Sequence, residues 1–238
     1  MNLSRPFVFT ETMATQPHLP IDPSSRLAPR MDELRLRLKN IEPAVLAERT
    51  GSELDGNTFH LHLWGKPVFL ALPEFTAFDT ATHQPLRPDQ QMLLLYYFST
   101  AAGAAAGTAE TGQWISFADL PGGRFYNQAF QGYTGHELVK AFGPDQTAFE
   151  WVAADLDGRP YPLGDAAFLF HALPRVALLV IFWQGDDSED TIDFPPSFQI
   201  LFDSSASHYL PTDACAILGS SLTRRLIAAR SIPKYQHE

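Results

Sequence analysis

Apolar residues first recur at helical spacing at Met31, Leu34, Leu38 and Ile41, with Arg35, Arg37 and Lys39 between them, and predict a helix beginning near Met31. Pro43 suits the first turn of a second short helix running to Thr50, and Gly51 is its natural stop. From Phe59 to Trp64 the pattern changes to strict alternation. His60 and His62 then share one face of a strand, and Leu61 and Leu63 the other. Gly65 and Lys66 can turn the chain into Pro67–Leu72, so the two runs predict a β-hairpin. Pro88 opens a helix that is apolar nearly all round from Met92 to Phe98, as expected of a helix buried on several sides. The small residues from Ala101 to Gly107 read as a mobile connector.

In the second half, Trp114 to Phe117 predicts a short strand, Leu120 to Gly123 a turn, and Phe125 to Phe130 a further extended segment. His136 to Phe142 predicts a helix stopped by Gly143. Pro144 starts another, with Phe149, Val152 and Leu156 on one face. Ala166–His171, Val176–Trp183 and Phe198–Phe202 read as strands, the last two forming an antiparallel hairpin around an acidic loop. Thr212 is the expected N-cap of a final helix whose core face is Ile217, Leu218, Leu222 and Leu226. Strands and helices do not alternate one for one. The expected class is therefore α+β, a single domain with a mainly antiparallel sheet packed by helices. That domain is expected over residues 31–230. Residues 1–30, with five prolines and an isolated Phe7-Val8-Phe9 patch, read as an extended or disordered leader, and 231–238 as a tail.

Composition sharpens this picture. Only 18% of the 238 residues are charged, and eighteen are Phe, so much of the chain must be buried interior. A net charge of −10 opposes binding to a phosphate backbone, so no nucleic-acid partner is expected. Arg224, Arg225 and Arg230 in the final helix read as complements to its dipole. Cys215 stands alone, which excludes an intrachain disulfide and a cysteine-ligated zinc or iron–sulfur centre within one chain. Pro6, Thr10, Glu11 and Thr12 break up any signal-peptide pattern, and Val176–Trp183 is too short to span a bilayer. A cytoplasmic protein without a membrane partner is the expectation.

Four segments together resemble a known family. They are Leu93–Ala101, Gly112–Gly123, Leu163–Phe168 with Phe170 and Pro174, and Ile200–Pro211. Long motifs of this kind are similar to those of the domain-of-unknown-function family numbered 3786, over about residues 40–228. The resemblance implies little about activity, because the family has no settled one to carry over. Some similar proteins carry an added cysteine-rich iron–sulfur segment, which this chain does not have.

The residues themselves offer several candidates. Asp203-Ser204-Ser205-Ala206-Ser207-His208-Tyr209-Leu210-Pro211 follows an apolar strand, where a sheet can hold functional groups rigidly. His208 could anchor a ligand or carry a proton, with Tyr209 stacking on a planar group. On a helical turn Ser204 and His208 would share a face at i, i+4, as a nucleophile and its base. The plain structural alternative is that Asp203, Ser204 and Ser205 cap the local turn. Gly122 and Gly123 could let backbone approach a ligand closely, with Arg124 and Tyr126 assisting, although Pro-Gly-Gly is also an ordinary turn. His60 with His62 has a spacing that can chelate a metal, but polar-out alternation is the simpler reading, and no metal site is expected. His171 is similarly ambiguous. The acidic run 185–193 reads as a solvated hairpin tip.

The favoured reading is a ligand- or cofactor-binding accessory module, with the cofactor unspecified. Its site would use His208, Tyr209, Asp203 and Ser207 on one loop and Gly122, Gly123, Arg124 and Tyr126 on another. Alternatives are a hydrolase or transferase using Ser204 and His208, and a scaffold for a protein partner.

Overall fold

The computed structural model describes residues 23–103, 110–185 and 194–231. Helices α1 (Pro23–Leu38) and α2 (Pro43–Thr50) precede a four-stranded meander. Its strands are β1 (Glu53–Asp55), β2 (Thr58–Leu63), β3 (Lys66–Ala71) and β4 (Thr76–Asp79), paired antiparallel in sequence order. Helix α3 (Pro88–Ala101) follows. Next come β5 (Trp114–Ser116) and three helices, α4 (Asn127–Tyr133), α5 (Gly135–Phe142) and α6 (Gln146–Asp155). Strands β6 (Arg159–Pro160), β7 (Ala166–Leu173), β8 (Val176–Trp183) and β9 (Ser197–Asp203) lead to the long helix α7 (Thr212–Arg230). The second sheet has the order β5-β9-β8-β7-β6, and every pair in it is antiparallel. The α+β class and the antiparallel pairing are as the alternating patterns predict, but the strands form two sheets rather than one.

The meander buries one face only. In β2, Phe59, Leu61 and Leu63 are buried, whereas His60 and His62 are exposed. Strand β8, buried at every position but Trp183, is covered on both faces. Phenylalanine fills the space between the second sheet and the helices. Phe149 sits 5.0 Å from Phe198 and 5.5 Å from Phe168, and Phe117 stacks on Phe130 at 4.2 Å. Ring edges against ring faces pack densely without polar atoms to satisfy, which explains the high Phe content.

Several local expectations need correction. Helix α1 begins at Pro23 and contains Pro29, so residues 23–30 are not part of an extended leader. Leu27 packs on the core and Arg30 pairs with Glu33 on either side of Pro29, which lacks an N–H to donate. Residues 125–130 are not extended: a single 3-10 turn over Gly123–Phe125 runs into α4. Its inward residue is Phe130, and a lone buried position gives no periodicity to read. Pro211, not Thr212, is the N-cap of α7, and the Thr212 hydroxyl instead donates to the Pro121 carbonyl at 2.7 Å. Ile217 lies off the core face and is exposed. The expected leader up to residue 22, most of the Ala101–Gly107 connector, most of the acidic tip and nearly all of the tail lie outside the described residues.

A buried tyrosine joins the layers. Tyr97 on α3 is fully buried, and its hydroxyl donates to the Thr50 carbonyl at 2.5 Å, at the C-terminal end of α2 where carbonyls lack helical partners. The same oxygen accepts from the backbone of Arg175 in the β7–β8 turn, and burial drives the phenol pKa upward. Tyr97→Phe keeps the ring and leaves both backbone groups unpaired. It is expected to cost about 1–3 kcal/mol, read as a lowered urea midpoint with an unchanged m-value.

Candidate functional site

The Pro121 carbonyl, at the start of one expected loop, accepts from the hydroxyl of Thr212, the first residue of α7 just past the other, so the two segments adjoin as packed structure. Gly123 is buried, and a Cβ there would stand 1.9 Å from the Phe117 carbonyl oxygen. The residue is glycine because the chain's own backbone needs the space, not a ligand. Gly122 has φ 74, a left-handed turn position with open space around it. Arg124 and Tyr126 are exposed, as is Phe125 at 88%.

Asp203 is 1% exposed and acts as a structural hub. Its carboxylate accepts from the backbone N–H of Thr111, Gly112 and Ser205 and from the hydroxyls of Thr111 and Ser205, at 2.6–3.1 Å. It thus caps the turn after β9 and fastens the 110–112 segment to it. Burial alone would raise its pKa, but these donors outweigh that and hold it below the ordinary carboxylate value. Residues Ser204–His208 form a 3-10 turn, not an α-helical one. At three residues per turn, Ser204 and His208 do not share a face. Ser204 Oγ pairs with Thr111 Oγ1 at 2.7 Å, Ser205 is buried, Ser207 is half-buried and His208 is exposed. Tyr209 is buried with its ring 6.0 Å from that of Tyr97, so it is core rather than a stacking platform. The capping role, not a Ser–His pair, is what this geometry displays.

A different place gathers chemistry. Leu63 pairs with Lys66, so Trp64 and Gly65 form a two-residue hairpin turn with φ 54 and 73. Positive φ at both positions matches the twist of the strands. For a bulky Trp it is strained, at about 1–3 kcal/mol. The compensation comes from the other sheet. The β7–β8 register shifts between His171 and Leu173, which frees the Ala172 carbonyl to accept from Trp64 N–H at 2.9 Å. The indole then lies under the Arg225 guanidinium, 5.4 Å from ring centroid to charge.

This seam between the sheets opens into a cleft of about 500 Å³. Its apolar lining includes Trp64, Pro67 and Phe170, and imidazoles come from His60, His62 and His171. Arg159 and Arg225 supply positive charge, against Glu53 and Asp157. His171 Nε2 stands 3.0 Å from Glu110 Oε1. Trp64 also borders a second cleft of about 330 Å³, between the β2–β3 turn, the start of α3 and α7. None of the residues of the favoured site at 121–126 and 203–211 lines either cleft, whereas His60, His62 and His171, also candidates from the sequence, line the first. The signal that could have found the place was a Trp where a tight turn favours Asn or Gly, directly after two outward histidines. No group of three or more His, Cys, Asp or Glu side chains suited to a metal ion occurs among the described residues. No helix among them is long and apolar enough to cross a membrane.

The Asp203 hub gives a pH-dependent prediction. A carboxylate with a lowered folded-state pKa contributes stability above the unfolded value, about 3.9, and loses it as pH falls through the folded value. Asp203→Asn is therefore expected to cost about 1–3 kcal/mol at neutral pH. The gap to the parent protein should narrow below about pH 4, measured by denaturant titration across pH.

No curated protein and no solved structure matches the chain. The family described as "Domain of unknown function (DUF3786)" matches residues 42–225, and the chain belongs to that family.

Proposed function

We propose that the protein is a ligand-binding module whose site is the cleft at the seam of the two sheets, occupied by a small molecule with a flat, partly aromatic body. The observation that carries this is Trp64. A bulky aromatic is held in a left-handed turn conformation at the mouth of a cleft of about 500 Å³, a size typical of small-molecule sites. Strained backbone of this kind persists only where surrounding contacts enforce it, and it concentrates at ligand-binding positions. Trp64 and Phe170 supply apolar surface, while His60, His62 and His171 supply donors and acceptors that can orient polar edges. The reading moves the expected ligand site away from His208 and keeps the expected class of ligand.

Titration with the uncharged planar fluorophore phenylnaphthylamine tests it. Saturable one-site binding to the folded protein is expected, weakened at least about tenfold by Trp64→Ala and by less than about twofold by His208→Ala. Binding that survives Trp64→Ala unchanged, or no binding at all, would overturn the assignment.

A further inference from the structure

The second cleft is lined by four cationic side chains, Lys66, Arg87, Arg224 and Arg225, and by one carboxylate, Asp79. In a chain with a net charge of −10 this concentration needs a cause. Complementing the α7 dipole is not one. That effect is confined to the last turn, where Arg230 stands, paired with Asp145 and lying over Phe142. Arg224 and Arg225 come more than one turn earlier.

Nor do the cations serve ion pairs within the fold. Arg87 is neutralised by Asp89, at 3.0 and 3.1 Å. Lys66, Arg224 and Arg225 make no salt bridge among the described residues. Asp79 Oδ1 accepts from the N–H groups of Ala81 and Thr82 and from the Thr82 hydroxyl, and Lys66 attracts the carboxylate without forming a salt bridge to it. Arg225 is half-buried over Trp64, and burial lowers its pKa, with Asp157 only partly opposing. Holding such a group half-buried with no carboxylate in salt-bridge contact is unfavourable, and an incoming anion would reduce that penalty.

We infer that the Lys66–Arg224–Arg225 cleft is an anion subsite for a phosphorylated small molecule, whose flat body lies beyond Trp64 in the adjoining cleft. This rests on the ligand-binding reading above. Three cations that make no salt bridge among the described residues suit a multiply charged phosphoryl group, and two of them are guanidiniums, whose paired N–H groups match phosphate oxygens. A volume of about 330 Å³ accommodates a diphosphate. Trp64 and Arg225 belong to both clefts, so one molecule can span them.

Calorimetric titration with inorganic pyrophosphate, at low salt and without divalent metal, tests the subsite by itself. One-site binding is expected, weakening as salt rises and falling at least about tenfold in the double variant Lys66→Ala/Arg224→Ala. Both residues are exposed, so the variant should keep the parent's circular dichroism and thermal midpoint. Arg159→Ala, which removes a cation of the first cleft only, should change pyrophosphate affinity less than about twofold. No pyrophosphate binding, or equal binding by the parent and the double variant, would overturn the inference. Pyrophosphate binding with failure of the uncharged fluorophore would leave the anion subsite standing and remove the aromatic cleft. The converse would remove the subsite and keep the cleft.

Discussion

Trp64 N–H reaches the Ala172 carbonyl only because each sheet departs from regularity at the point where they meet. In a two-residue hairpin turn the first turn residue has an N–H that the strand ladder does not use. In β7 the register shift past His171 leaves the Ala172 carbonyl without its ladder partner. Each irregularity by itself would leave a polar backbone group unpaired near the interior. Joined, they satisfy one another and hold the two sheets at a fixed separation. The cleft lies beside this joint, with Trp64, Phe170 and Leu173 in its lining.

Two further polar nodes make the joint rigid. Tyr97 ties the end of α2 and the turn between β7 and β8 to the buried helix α3, so the approach to the cleft from Gly51 and Pro174 is fixed by the core. Asp203 does the same for the far edge, pinning residues 111 and 112, next to the Glu110 that faces His171. Both groups are buried and both have their hydrogen-bonding capacity engaged, the condition under which a buried polar group specifies a structure rather than weakening it. Cys215, by contrast, is fully buried among apolar side chains, which push its thiol up to about 12. It is a small core residue with no thiolate to offer.

What the sequence revealed and what it hid follow from the range of the interactions. Helix α2 with its Gly51 stop, the β2–β3 hairpin and the β8–β9 pair are written in local periodicity and turn residues, and they are read correctly without tertiary information. Helix α4 was missed because one buried residue, Phe130, decides its inward face. The start of α1 was missed because Pro23 and Pro29 signal irregular chain, whereas packing of Leu27 keeps them helical. Asp203, Gly122 and Gly123 stand out for chemical character, yet Asp203 satisfies a segment far away in the chain, at Thr111, and Gly123 makes room for the carbonyl of nearby Phe117. His60, His62, Arg224 and Arg225 each stand out in the sequence only on their own element. Their meaning lies in the meeting of β2, β7 and α7, which no local pattern encodes.

Charge distribution brings these threads together. A chain with an excess of carboxylates repels anionic ligands at long range, so steering does not explain an anion site here. Recognition must come at short range, where a low-dielectric wall strengthens each cation's effect. The second cleft has that character: Arg225 is backed by the Trp64 indole, and Leu63, Val68 and Leu86 supply apolar surface around the cations. An anion entering there would exchange its hydration for fixed donors. A net charge of −10 is therefore compatible with selecting a small anion, provided the positive groups are held where no salt bridge among the described residues engages them.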